Sequence, residues 1–256
     1  MSPATTSGAA RLAELLASAG RVLALTGAGI SVPSGIPDFR SPGTGLWANV
    51  DPMEVAHIEV FKRDPARFWQ FYGHRFAALR GKRPNGAHEA LVELERRGIV
   101  EAVVTQNIDG LHRLAGTRDL IEVHGSIGTS SCLECGSSFE LPEVRSRLET
   151  AEDGVPRCSC DAALKPDVVL FGELLPEAAL ARASELAAQA DVLLCVGSSL
   201  EVHPVAQLPA ITLAGGGSVG LVTKGPTPYD GDAAVRLHGD VVEELQAVVA
   251  ALELRH

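Results

Sequence analysis

The stretch Arg21-Val22-Leu23-Ala24-Leu25-Thr26-Gly27-Ala28-Gly29-Ile30-Ser31 decides the fold. A strand-length apolar run breaks into glycines, where the backbone can turn tightly before the next element. Runs of the same kind recur at Val100 to Thr105, Val168 to Phe171, Val192 to Val196 and Val219 to Val222. Helical periodicity fills several of the gaps, at 88–97 and 176–190. A further amphipathic helix at 9–17, with Leu12, Leu15 and Leu16 on one face, precedes the first run. Apolar strands alternating with amphipathic helices predict an α/β fold, a mostly parallel, doubly wound sheet covered on both faces. Such sheets bind ligands beyond the carboxyl ends of their strands.

Bulk properties narrow the function. With 46% hydrophobic and 21% charged residues the chain has enough apolar material for a packed core. The formal net charge of −10 argues against a nucleic-acid binder, which needs a surplus of Lys and Arg for phosphate contacts. No stretch approaches a membrane span in length. Residues 1–8 have no basic start and no apolar core, so the reading expects no secretory leader and a cytoplasmic protein.

Two segments interrupt the alternation. Residues 41–84 are rich in helix formers and aromatics, and residues 126–165 carry four clustered cysteines. The expected division is a large domain from 1–40, 85–125 and 166–256, with 41–84 and 126–165 forming a small one. Cys132-x2-Cys135 and Cys158-x-Cys160 are short-spaced thiol pairs of the kind that close a structural zinc site. The second pair is one residue tighter than the usual spacing. Disulfides are the alternative, which a reducing cytosol disfavours. Cys195 sits in an apolar run and reads as a core residue.

Three polar motifs fall where the predicted sheet opens. The Gly27-Ala28-Gly29 loop suits a pyrophosphate held by backbone amides, yet Val32 stands where a dehydrogenase fingerprint has its third glycine. It is followed by Ser34-Gly35-Ile36-Pro37-Asp38-Phe39-Arg40, either a loop ordered over a ligand or a surface loop with an ion pair. Thr105-Gln106-Asn107-Ile108-Asp109-Gly110-Leu111-His112 ends a buried strand with side chains suited to sugar hydroxyls and a carboxamide. His124 follows a strand-like run and carries the natural base near neutral pH.

In order and spacing these motifs, with Phe171-Gly172-Glu173 and Gly197-Ser198-Ser199-Leu200, resemble the sirtuins, the NAD-dependent protein deacylases. The resemblance runs from about Leu12 to Val248. It implies a Rossmann-like NAD-binding domain, a small domain of helical insert plus zinc ribbon, and an active site between them. By that resemblance Gly27, Ala28, Gly29, Val32, Asp38, Phe39, Arg40, Gly197, Ser198, Ser199 and Thr223 face the dinucleotide. Gln106, Asn107, Ile108 and Asp109 line its ribose and nicotinamide pocket, with Asn107 and Asp109 taking part in catalysis beside the general base His124. Val169, Phe171 and Gly172 on one side, and Glu201 and Val202 on the other, match the edges that hold an acyl-lysine peptide as an added strand. Thr223 stands where the family usually has an asparagine, a shorter reach toward the adenosine ribose.

Tyr72 and Arg75 are three residues apart on a predicted helix, and resemble the pair of sirtuins that prefer succinyl- or malonyl-lysine. The other reading makes Tyr72 a core aromatic and lets Arg75 extend to solvent. A NAD hydrolase or ADP-ribosyltransferase would use the same pocket, with water or a protein side chain as acceptor; simple hydrolysis needs neither the peptide edges nor His124.

Overall fold

The computed structural model describes residues 7–38, 45 and 50–254, apart from the side chains at 75 and 77. In chain order the helices and strands are α1 (Gly8–Ser18), β1 (Val22–Thr26), α2 (Pro52–Val55), α3 (Ile58–Arg63), α4 (Pro65–Ala78), α5 (Gly86–Arg96) and β2 (Val100–Thr105). Then come α6 (Leu111–Ala115), β3 (Leu120–Glu122), β4 (Gly125–Cys132), β5 (Ser138–Glu140), α7 (Leu141–Thr150), β6 (Leu164–Val168) and α8 (Glu177–Gln189). The chain ends with β7 (Val192–Val196), α9 (Leu208–Ala214), β8 (Ser218–Val222), β9 (Val235–Leu237) and α10 (Val241–Glu253).

Six strands form one parallel sheet in the order β3-β2-β1-β7-β8-β9. Period-2 alternation sends its side chains into two separate cores. Val22, Ala24, Val192 and Leu194 meet α1, α5 and α10 on one face. Leu23, Leu25, Leu193 and Cys195 meet α8 and α9 on the other. Each helix presents an apolar stripe at the required spacing, as with Leu12 and Leu16 in α1 or Leu245, Val248 and Leu252 in α10. The doubly wound sheet is therefore as expected, and Cys195 is a core residue, 2% exposed.

A second, antiparallel sheet has the order β5-β4-β6. The expectation of a main-sheet strand at Val168 to Phe171 is corrected here: only Val168 lies in a strand, as the last residue of β6 in this small sheet, and 169–171 lead out of it. The apolar run misleads because β6 itself contains Lys165, Pro166 and Asp167 and pairs with polar Ser130 and Ser131 of β4. The small sheet ends at Val168. The two inserts share one core, in which Phe68, Trp69, Tyr72 and Phe76 of α4 meet Ile127, Val144, Leu164 and Cys132. The Trp69 indole donates to the Leu164 carbonyl at 2.9 Å. Among the described residues no helix is long and apolar enough to cross a membrane.

Leu194 lies in a central strand and is fully buried. Leu194→Ala is expected to lower unfolding free energy by about 2–5 kcal/mol, read from urea denaturation.

Candidate functional site

The sheet reverses its winding at β1, between β2 and β7, so the loops after these strands face one crevice. After β1 the chain makes two short 3-10 turns, Ala28–Ile30 and Val32–Ser34. The Gly29 amide donates to the Gly197 carbonyl at 2.8 Å. A β-carbon on Gly29 would lie 2.7 Å from that oxygen, and one on Gly197, at φ +61°, would lie 2.3 Å from the Ile30 nitrogen. These two glycines let the loops after β1 and β7 pack backbone against backbone, a need independent of any phosphate.

A polar cluster fills the floor. The buried Asn107 amide donates to the Gly27 carbonyl at 3.1 Å and to Ser31 Oγ at 3.2 Å. Ser31 Oγ in turn donates to Asp109 Oδ2 at 2.7 Å, while Asp109 Oδ1 accepts from the Leu111 amide at 2.8 Å. Gln106 Nε2 donates to Ser198 Oγ at 2.9 Å. Ala28 and Ile108 are half-buried, Val32 and Ser199 are exposed, and Thr223 is buried at the end of β8. The structure therefore brings Gly27, Gly29, Ser31, Gln106, Asn107, Asp109, Gly197 and Ser198 together. Asp38 is half-buried nearby in sequence, whereas Phe39 and Arg40 lie outside the described residues.

His124 occupies the turn between β3 and β4. Its Nδ1 lies 2.9 Å from the Gln106 carbonyl. A carbonyl only accepts, so Nδ1 carries the proton and Nε2 is the basic nitrogen. Burial pushes the imidazole pKa below its ordinary value, partly offset by that hydrogen bond. His124 is thus held neutral, as a base near neutral pH must be.

The His124 carbonyl accepts from the Val169 amide at 2.9 Å, tying the histidine to the chain leaving β6. Phe171 and Gly172 are exposed along this edge, with Val169 half-buried. Phe171 exchanges backbone hydrogen bonds with Ala56 and Ile58. The facing segment follows β7, where Glu201 and Val202 are exposed beyond Leu200, a buried residue held at φ +55°. Tyr72 is a core residue, stacked on Phe68 at a centroid distance of 4.4 Å. The side chain of Arg75 lies outside the described residues.

The four clustered cysteines meet as free thiols, their sulfurs all within 4.8 Å of one another. Cys132 and Cys160 are 3.5 Å apart, Cys135 and Cys158 3.5 Å, and Cys135 and Cys160 3.7 Å. A tetrahedron with Zn–S bonds of about 2.3 Å has edges of about 3.8 Å, so the set fits a closed zinc site and not a pair of disulfides. The tight Cys158-Ser159-Cys160 knuckle reaches this geometry because Asp161 takes a left-handed conformation, φ +70°, and the Cys158 amide donates to the Ala162 carbonyl. Zinc here would be structural, with all four positions filled by the chain.

Beneath the floor lies a network the sequence reading does not single out. Thr26 Oγ1 donates to Thr105 Oγ1 at 2.8 Å, and Thr105 Oγ1 accepts from the Asn107 amide. His112 Nε2 is 2.9 Å from Thr26 Oγ1, and the His112 ring packs at 4.8 Å on His88. Asn85 caps α5 and donates to the Ile30 carbonyl and Ser34 Oγ, holding the glycine loop from behind. The spacing Asn85-x-x-His88 before an apolar helix is the one sequence signal for it.

The family model of the Sir2 family matches residues 27–204. The chain is similar to the "NAD-dependent protein deacetylase" of Sulfolobus acidocaldarius, 44% identical over 97% of this chain and 96% of the relative. It is also similar to the "NAD-dependent protein deacylase" of Pyrococcus abyssi, 47% identical over 81% and 83%. Among solved structures, a Sir2–p53 peptide–NAD+ complex superposes with TM-score 0.87 at 38% identity, covering 95% of this chain and 98% of that one. Sir2Tm bound to a propionylated peptide gives TM-score 0.84 at 38% identity, covering 93% and 96%.

Two outcomes are expected. Burial pushes His88 down to about 4, and His112 down to about 3 with repulsion from His88 added. Unfolding frees both to bind protons near pH 6.5, so their contribution is complete above that pH and is lost as pH falls toward 4 and 3. The denaturant midpoint should already decline between pH 6.5 and 5, above the carboxylate range. Separately, a strong chelator should release one zinc ion per chain, read by a colorimetric indicator, with a lowered melting temperature.

Proposed function

Because the chain belongs to the Sir2 family, we propose that it is an NAD-dependent protein-lysine deacylase, releasing nicotinamide and leaving the acyl group on ADP-ribose. The observation that carries this reading is His124, held neutral with a basic Nε2 between the polar cluster at 106–109 and the edge at 169–172. NAD, when bound, supplies a ribose carbon made reactive by its nicotinamide leaving group, on which the acyl-lysine oxygen is taken up. The chain's part is to bind, orient and move a proton.

The fit to a dinucleotide rests on the loops that converge after β1, β2, β7 and β8. They offer hydroxyl, amide and carboxylate groups at a switch point, already braced against one another. In this reading Gly27, Ala28, Gly29, Val32, Asp38, Phe39, Arg40, Gly197, Ser198, Ser199 and Thr223 hold the dinucleotide. Gln106, Asn107, Ile108 and Asp109 surround the nicotinamide ribose. His124 accepts the proton of a ribose hydroxyl through Nε2, which its lowered pKa keeps unprotonated at pH 7. Val169, Phe171 and Gly172 face Glu201 and Val202 across the substrate peptide, which joins them as an extended strand.

Cys132, Cys135, Cys158 and Cys160 hold the zinc ion of the small domain. We divide the chain into a NAD-binding domain of 1–40, 85–125 and 166–256, and a small domain of 41–84 and 126–165, with β6 of the small sheet running across that last boundary to Val168. We place the protein in the cytoplasm, where four thiols arranged for a metal rather than for disulfides would stay reduced. Tyr72, packed in the core, favours neutral acyl groups; turnover of succinyl-lysine would rest on Arg75.

Incubated with NAD and acetyl-lysine peptide, the protein should release nicotinamide only when both are present. His124→Ala should lower kcat by about 10²–10⁴-fold while leaving NAD binding in place. Release independent of peptide would favour the hydrolase reading instead, and parallel runs with succinyl-lysine peptide report on Tyr72 and Arg75.

A further inference from the structure

Lys165 is a buried cation in β6, its side chain 9% exposed. Its ammonium has three donors and three acceptors: Glu173 Oε2 at 2.9 Å, the Val168 carbonyl at 2.9 Å and the Pro166 carbonyl at 3.2 Å. The same Glu173 oxygen accepts from the Leu170 amide at 2.9 Å, and the Glu173 amide donates back to the Leu170 carbonyl. One ion pair therefore closes the turn in which the chain leaves β6 and becomes the exposed edge.

Neither residue is among those placed against NAD or the acyl-lysine in the reading above. Burying a charge costs free energy even when it is fully paired, and apolar residues of similar volume often stabilise as well or better. What apolar residues cannot do is fix the rotation of a backbone by capturing named carbonyls. The Pro166 and Val168 carbonyls are turned inward onto Nζ, which sets how the next peptide groups present themselves. The far end of the segment is fixed separately, by Phe171 bonding to Ala56 and Ile58 and by Gly172, at φ +85°, lying against His57. Between those anchors the edge from 169 to 172 is held in one orientation.

We propose that Lys165 and Glu173 are positioning residues, an internal brace that presents the backbone edge of 169–172 to the extended peptide of the substrate. This rests on the deacylase reading for the identity of the peptide, but not on the chemistry that follows binding. Strand addition draws its affinity from main-chain hydrogen bonds. The Val169 amide and the main-chain groups of Leu170 and Phe171 are engaged within the chain, so the peptide is offered the Val169 carbonyl and Gly172, and a rotated edge misdirects these together. The brace should therefore govern peptide affinity and leave NAD affinity alone.

The test compares wild type, Lys165→Met, Glu173→Gln and the double variant Lys165→Met/Glu173→Met. Binding of a fluorescent acetyl-lysine peptide is read by anisotropy, NAD binding by calorimetry, and folding by melting temperature. Each single variant is expected to weaken peptide binding about tenfold or more, with NAD affinity within about twofold of wild type. The double variant removes both charges at once, and should recover melting temperature while peptide binding stays weak. Peptide affinity that returns with stability in the double variant, or that is unchanged in the singles, overturns the proposal. Equal losses for peptide and NAD do so as well. A wild type that binds peptide yet releases no nicotinamide would instead sink the deacylase reading, leaving the brace to be judged on the binding data.

Discussion

The crevice depends on one close approach, that of the loop after β1 onto the loop after β7. With no side chain on Gly29 or Gly197, the Gly29 amide reaches a backbone carbonyl across the switch point. That contact sets where Ser31 stands, and Ser31 is the hinge of the polar floor. Its single hydroxyl accepts from Asn107 and donates to Asp109, so both side chains are oriented before any ligand arrives. Preorganisation of this kind means that ordering the floor is a cost of folding and not of binding.

The floor is supported by a layer that is polar but uncharged. His112, Thr26 and Thr105 connect the ends of β1 and β2 to the Asn107 amide, and His88 packs behind. Buried imidazoles can serve here because deprotonation removes their charge at modest cost, which a lysine or carboxylate in the same place could not match. Elsewhere the fold does keep a buried charge, at Lys165, and there every donor is matched. The two solutions differ because their settings differ: a strand-end layer needs small hydrogen bonds, whereas a turn needs a long reach.

Much of this was legible in the sequence. Strands β1, β2, β7 and β8, helices α1, α5 and α8 and the cysteine cluster all follow from local pattern: continuous apolar runs, helical stripes and short thiol spacing. The glycine loop was legible as a loop, but its reason was not, since the partner of Gly29 is Gly197, far along the chain. The run Val168 to Phe171 was misread because its apolar side chains, Val168 and Leu170, serve the small core rather than a sheet strand, while Lys165 and Pro166 inside β6 hide the true strand from any apolar count. Asn85 and His88 escaped notice, and His112 stood in its motif without a role, because each acts through contacts made only after folding. The lowered pKa of His124 belongs to the same class, being a property of burial.

The small core has a history as well as a shape. Its two halves come from inserts separated by α5, β2, α6 and β3, and the Trp69 to Leu164 hydrogen bond spans 95 positions. Closing so long a loop is slow unless the intervening chain has already become compact. The parallel sheet from β1 through β3 is thus the scaffold that brings the halves together, and α4 must wait with an aromatic face uncovered until β6 arrives. On a ribosome that interval begins once α4 emerges and closes only after about a hundred further residues are made, several seconds at ordinary elongation rates. For a chain of this family, the vulnerable moment in assembly belongs to Phe68, Trp69 and Phe76, and is set by the order in which the sequence is read out.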